Sequence, residues 1–224
     1  MAVLFDLDGT LLDTALDFLT ATNKMLQQQG APLITYQEIR PLVSFGRSHI
    51  VKNIFKINLQ DERFQSTIDT LLANYEATNH ELTSPFPKID ELLTQLDQAN
   101  IIWGIVTNKL SYLTQQILTK KNLTHRTKCV VCGDTTSSTK PDPTPLLYAS
   151  KLINTDPKDC IYIGDAKHDI IAGNAAGMYT ISALYGYITD YNDALQWPAN
   201  SKVNTVEEIF PLVYQWHKQK LLIN

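Results

Sequence analysis

Four apolar residues, Ala2 to Phe5, run without a break into Asp6-Leu7-Asp8-Gly9-Thr10. A short apolar run closed by glycine predicts a buried strand. Side chains alternate along a strand, so the spacing predicts Asp6 and Asp8 on one side and Leu7 on the other. Two carboxylates at the end of a buried strand are costly unless something compensates them, and a metal ion is the natural compensation. The other reading of Asp-x-Asp is a strand ending in solvent with two ordinary surface acids. The rest of the chain decides between them.

Asp13 or Thr14 can cap a helix that runs to Gln29, with Leu16, Leu19, Met25 and Leu26 at roughly helical spacing and Gly30 as its stop. Residues 31 to 83 keep helical texture over 35–42, 47–55 and 61–79, with no strand-like run between them. Ser84-Pro85-Phe86-Pro87 then breaks the pattern, because proline has no N–H for a helix interior. After it the texture alternates. Helices are predicted at 88–98, 111–121, 144–153, 170–176 and 206–220. Strands are predicted at 101–106, 129–132, 160–163 and 179–183. Strands alternating with helices imply a parallel sheet covered on both faces. The expectation is an α/β chain, a doubly wound, Rossmann-like core of residues 1–13 and 84–224. An all-helical domain of residues 14–83 is inserted into it.

Composition excludes several classes. A chain of 224 residues with formal charge −4 and no long Lys/Arg run does not suit a nucleic-acid surface. No apolar run reaches the length of a membrane span, and the N-terminus lacks the pattern of a signal peptide. The expected partners are therefore neither nucleic acid nor membrane, and no obligate protein partner is inferred. Cys129 and Cys132 have the C-x-x-C spacing of zinc or redox sites. No second pair exists, and they flank Val130-Val131 in strand-like sequence, so buried thiols in a reducing, cytoplasmic setting are expected.

The strand ends carry a set. The first leads to Asp6 and Asp8, the second to Thr107-Asn108, the fourth to Asp165 and Asp169. Lys140 lies in the loop after the third. All would face one edge of a parallel sheet, where such sheets bind ligands. Acids can hold Mg²⁺, while a hydroxyl, backbone N–H groups and a lysine can hold phosphate oxygens. A remaining carboxylate can then serve as a nucleophile. Nothing in the set suits acyl transfer.

In this order, Asp6-x-Asp8-Gly9-Thr10, Thr107-Asn108, Lys140-Pro141 and Gly164-Asp165-x-x-x-Asp169 resemble the motifs of the haloacid dehalogenase superfamily of phosphohydrolases. The resemblance covers nearly the whole chain, and the helical insert is similar to that family's cap. It implies that Asp6 attacks phosphorus, and that Asp8 serves as general acid and then base. Thr107, the amide of Asn108 and Gly9 would contribute to the phosphate site, and Lys140 would offset charge on nucleophile and phosphate. Mg²⁺ would be held by Asp6, the Asp8 carbonyl and Asp165. Asp169 would ligate through water or orient Lys140. An acid at position 8 implies an alkoxide leaving group, hence a phosphate monoester of a small metabolite.

Phe5 to Thr14, Thr107-Asn108-Lys109 and Ser138 to Pro143 most resemble bacterial phosphoglycolate phosphatases. Trp103 to Lys109 and Tyr185-Gly186-Tyr187-Ile188 resemble a sister branch acting on N-acetylmuramic acid 6-phosphate. The remaining readings are a phosphosugar mutase of the same superfamily and a receiver-like phospho-acceptor domain. Within the insert, Ser44-Phe45-Gly46-Arg47 is either a substrate loop, with Arg47 meeting a carboxylate, or a helix-connecting turn. Tyr187 reads as a packed side chain, His168 as a solvated loop residue, and Lys109 as either added positive charge or a surface group.

Overall fold

The structure, a computed structural model, describes residues 1–223, with side chains through Gln219. In chain order it comprises β1 (Ala2–Phe5), β2 (Leu12–Asp13), α1 (Ala15–Gln28), α2 (Tyr36–Val43), α3 (Arg47–Ile54), α4 (Phe64–Ala77) and β3 (Ser84–Pro85). Then follow α5 (Ile89–Gln98), β4 (Ile102–Val106), α6 (Ser111–Lys120), β5 (Val130–Val131) and α7 (Thr144–Leu152). The chain continues through β6 (Cys160–Gly164), α8 (Lys167–Ala175), β7 (Tyr179–Ala183), α9 (Tyr191–Leu195), β8 (Ser201–Val203) and α10 (Ile209–Ile223). It divides into two compact units, Leu12–Ser84 and the remainder.

The larger unit is built on a six-stranded sheet in the order β5-β4-β1-β6-β7-β8, and every pairing is parallel. Counted along the sheet's own strands, this is the doubly wound order 3-2-1-4-5-6. Chain direction across the sheet reverses between β1 and β6, and the crevice beyond their carboxyl ends is where such sheets take ligands. All four β1 residues are fully buried. Ala2 and Leu4 join Val106, Val131 and Tyr162 against α7 and α8 residues Leu146, Ala149 and Ala172. Val3 and Phe5 take the opposite face, where Phe5 meets Trp103 edge-on at 6.4 Å. Burial of Val3, Leu4 and Phe5 contributes about 1.5–3 kcal/mol each, which offsets the cost of the acid that follows them.

The smaller unit is helical. Phe18 of α1 stacks on Tyr75 of α4 at 3.9 Å, and the Asn23 side chain holds both Ile34 backbone groups at 2.9 Å. Thr35 and Glu38 cap α2. The Ser44–Gly46 turn, with Gly46 at φ +79°, leads into α3, which begins at Arg47. β2 and β3 pair as a short ribbon at the junctions. Within the larger unit, Phe86 N donates to Leu11 O at 3.1 Å, so the two points where the core chain is interrupted are hydrogen-bonded neighbours.

The sheet has one strand more than the sequence suggests. Ser201-Lys202-Val203 lacks an apolar run, yet pairs with β7 as the edge strand. Asp190 accepts from Asn192 and Asp193 N–H and caps α9, which also went unread. α8 begins three residues before the predicted Ile170, because the Asp169 carboxylate bonds Ala166 N and closes its first turn.

Candidate active site

Register brings the strand ends together. Phe5 pairs with Ile105 on one side and Ile163 on the other, so Asp6, Thr107 and Asp165 follow neighbouring strands at one edge. Ligand oxygens of Asp6, Asp165 and Asp169 lie within 4.8 Å of one another, and all three residues are buried. Lys140, 3% exposed, enters this cluster from the loop before α7. Its Nζ lies 2.7 Å from Asp169 Oδ1 and 2.8 Å from Asp6 Oδ1. It also donates to Tyr162 Oη at 2.8 Å and Val106 O at 3.1 Å.

Each acid is held differently. The Asp165 oxygens accept separately from Thr10 Oγ1 and Tyr187 N, both at 2.9 Å. Asp169 accepts from Lys140 and Tyr162 on Oδ1 and from Ala166 N on Oδ2. Asp6 Oδ1 is buried with the Lys140 ammonium beside it and no partner of the kind that holds the other two acids. Burial pushes Asp6 well above the usual carboxylate range; Lys140 opposes this, and Asp169 and Asp165 add to it. Burial would also raise Asp169, but Lys140 pulls it below its ordinary value. Burial works against the Lys140 ammonium, and Asp169 and Asp6 outweigh it, holding lysine above its usual pKa.

The arrangement fits a divalent cation. Three carboxylates converge around one point, one buried oxygen lacks a hydrogen bond, and nearby positive charge falls short. Asp6, Asp165 and Asp169 share one ammonium, Lys140, while Lys109 stands against Asp8. Hard oxygen donors suit Mg²⁺.

Asp8 lies apart from this cluster. β1 ends at Phe5, so strand alternation does not govern Asp6 and Asp8 as the sequence suggested. The Asp8 carboxylate lies instead against Lys109 Nζ, at 3.1 and 3.4 Å. Lys109 is therefore buried, not a surface group. Thr107 is buried beside it, its Oγ1 accepting from Lys109 N at 3.2 Å. Asn108 uses its side chain to clasp Lys140, donating to Lys140 O and accepting from Lys140 N, both at 3.0 Å.

Gly9, at φ +90°, leaves the space the Asp165 carboxylate occupies, since a Cβ there would stand 2.2 Å from Asp165 Oδ2. Gly186 does the same from the other side, where a Cβ would stand 2.2 Å from Asp165 Cβ and 2.4 Å from Gly9 O. Tyr187 is packed, 2% exposed, and contributes its backbone N–H. His168 is half-buried in the first turn of α8, 3.8 Å from Asp169, not solvated as expected; burial lowers its pKa. Arg47 belongs to the helical unit, at the first position of α3.

The sequence model of the haloacid dehalogenase-like hydrolase family matches residues 3–183. The chain belongs to that family. Among its curated relatives, a phosphoglycolate phosphatase of Xanthomonas campestris pv. campestris (strain 8004) is 39% identical over 209 residues, spanning 93% of this chain and 94% of that protein. An N-acetylmuramic acid 6-phosphate phosphatase of Pseudomonas aeruginosa is 35% identical over 212 residues, spanning 95% and 94%. The fold matches that of a predicted phosphoglycolate phosphatase from Haemophilus somnus 129PT, with TM-score 0.81, 22% identity and coverage of 94% and 96%. The parallel sheet and the helical insert are thus those of haloacid dehalogenase-like hydrolases. Sequence reasoning missed three features of this site: the Asn108 clasp, the Tyr162 hydroxyl beneath Lys140, and the Tyr187 amide on Asp165. Tyr162 alone left a trace, as the one polar tip in the run Cys160 to Ile163.

The Cys129, Cys132 and Cys160 thiols are free and buried. Burial pushes Cys129 up to about 11 and Cys160 to about 12. The only acid, histidine or cysteine cluster suited to a metal among the described residues is the Asp6 group. Among the described residues, no helix is long and apolar enough to cross a membrane.

Proposed function

We propose that this chain is a Mg²⁺-dependent hydrolase of small phosphate monoesters that works through an aspartyl-phosphate on Asp6. The observation that carries the reading is the buried Asp6 carboxylate. It stands 2.8 Å from Lys140 Nζ, has one oxygen without a hydrogen bond, and shares a pocket of acids with Asp165 and Asp169. Such a carboxylate is raised in energy by its surroundings and lacks only an electrophile. Mg²⁺, held by Asp6, Asp165 and the Asp8 carbonyl, would neutralise charge and polarise the phosphoryl group.

The chain's own residues do the rest. An Asp6 oxygen attacks phosphorus in line as the ester P–O bond breaks, and Asp8 gives its proton to the departing alkoxide. Asp8 then takes a proton from water, which attacks the same phosphorus and breaks its bond to Asp6, releasing phosphate. Lys140, Thr107 and the amide of Asn108 receive charge on the phosphate oxygens. Asp169 keeps Lys140 in place.

The helical unit serves as a cap that selects the remote part of the substrate, since remote contacts are where substrates of shared chemistry differ. Arg47 meets a substrate carboxylate there. The phosphoglycolate phosphatase relative, at 39% identity, supports a small phospho-acid first. The N-acetylmuramic acid 6-phosphate phosphatase relative, at 35%, supports the second reading. Side-by-side kcat/KM on 2-phosphoglycolate, N-acetylmuramic acid 6-phosphate and common sugar phosphates decides between them. Release of inorganic phosphate is the expected outcome. Isomerised sugar phosphate would indicate a mutase, and a long-lived phosphoprotein a receiver-like domain.

A further inference from the structure

Lys109 is a buried ammonium that the proposed reaction does not use. Its side chain is 4% exposed, a location that costs several kcal/mol unless the charge is paired. It spans both oxygens of Asp8. Its position is fixed from below. Lys109 N is bonded to Thr107 Oγ1 at 3.2 Å, and Lys109 O accepts from Gly133 N at 2.9 Å. Gly133 passes so close to Asn108 that no side chain fits, since a Cβ there would stand 2.3 Å from Asn108 O. The ammonium is thus anchored through the segment that also clasps Lys140. Asp8 lies beyond the end of β1.

We infer that Lys109 is the positioning residue for Asp8: it fixes where the acid–base carboxylate stands relative to the ester oxygen, apart from the acids that gather around Asp6. Two anchored lysines then divide four carboxylates. Lys140 serves the nucleophile side and Lys109 the leaving-group side. This rests on the reading of Asp8 as acid and base.

Leaving groups separate a positioning role from a structural one. 4-Nitrophenolate departs without a proton, whereas an alkoxide needs one, so in the first step only alkyl esters depend on Asp8 being correctly placed, while its later action on water is common to both. The experiment measures the first-turnover rate of leaving-group release at saturating ester, which reports formation of the aspartyl-phosphate alone, for wild type, Lys109→Met, Lys109→Arg, Asp8→Asn and Asp8→Asn/Lys109→Met. Substrates are 4-nitrophenyl phosphate and whichever of 2-phosphoglycolate or N-acetylmuramic acid 6-phosphate wild type turns over faster. The ratio of the two rates cancels any loss of folded protein.

In Lys109→Met the alkyl-to-aryl ratio is expected to fall by about tenfold or more, within the usual range for proton transfer by a positioned side chain. Lys109→Arg restores part of it. In the Asp8→Asn background, removing Lys109 changes the ratio no further, as required when one residue acts through another. An unchanged ratio in Lys109→Met overturns the inference, as does additive loss in the double variant. A defect confined to KM also overturns it, since that would make Lys109 a substrate contact. If wild type hydrolyses neither ester, it is the proposed function that fails.

Discussion

Asp6 is buried at a cost, and the consequence is measurable without turnover. Its surroundings favour the uncharged carboxyl, burial first, so a neutral isostere relieves strain in metal-free protein. Asp6→Asn is expected to abolish hydrolysis while raising metal-free stability on the order of 1 kcal/mol, a few degrees in Tm for a chain of this size. Mg²⁺ should then raise the Tm of wild type more than that of the variant, because ligand binding stabilises only the form that binds. Thermal scans with EDTA and with Mg²⁺ check both signs, and a lower metal-free Tm for Asp6→Asn would contradict the argument. Lys140→Met should do the opposite. It strands Asp6 and Asp169 without their shared cation, and loss of one partner of a buried pair costs about 3–5 kcal/mol. Urea unfolding at neutral pH reads it. At this scale the sequence was informative where residue type alone fixes the chemistry. Acids and a lysine at strand ends were legible. The Tyr187 amide and the Asn108 clasp were not, since a backbone donor or an amide side chain has no distinctive pattern along the chain.

Among the elements, the loop after β7 matters more than its composition suggests. Tyr187 N holds one Asp165 oxygen, and Gly186 lets that loop pass against Asp165 and Gly9. Gly186→Ala places a methyl where Asp165 Cβ and Gly9 O already stand, so Asp165 or the loop must move. Overpacking of this kind costs about 1–3 kcal/mol. The variant is expected to bind Mg²⁺ more weakly by tenfold or so. Calorimetric titration of the metal alone reads that directly, and wild-type affinity would show that the loop does not set the Asp165 position. Elements with a strong periodic pattern were legible to within a few residues. β8 was hidden because an edge strand needs no continuous apolar run, and the first turn of α8 because Asp169 belongs at once to a capping pattern and to the acidic cluster.

The molecule as a whole consists of two units, and its thiols report on the integrity of one of them. Cys129, Cys132 and Cys160 lie in the sheet unit, and burial raises all three pKa values. At pH 8 the native protein is expected to react with 5,5′-dithiobis(2-nitrobenzoate) at fewer than one thiol per chain within minutes, and at all three in denaturant. Rapid native reaction would mean that the sheet opens readily. Parallel topology was legible from the alternation of strands and helices, as was the helical character of the insert. The side-by-side return of the chain to the core was not, because it is made by long-range backbone pairing, Phe86 N to Leu11 O among it, that leaves no local pattern. That contact also bears on ancestry. The core chain leaves and re-enters at points one hydrogen bond apart, so an insertion there need not lengthen any strand of the sheet. A lineage can therefore exchange one insert for another while the sheet that bears it passes on unchanged.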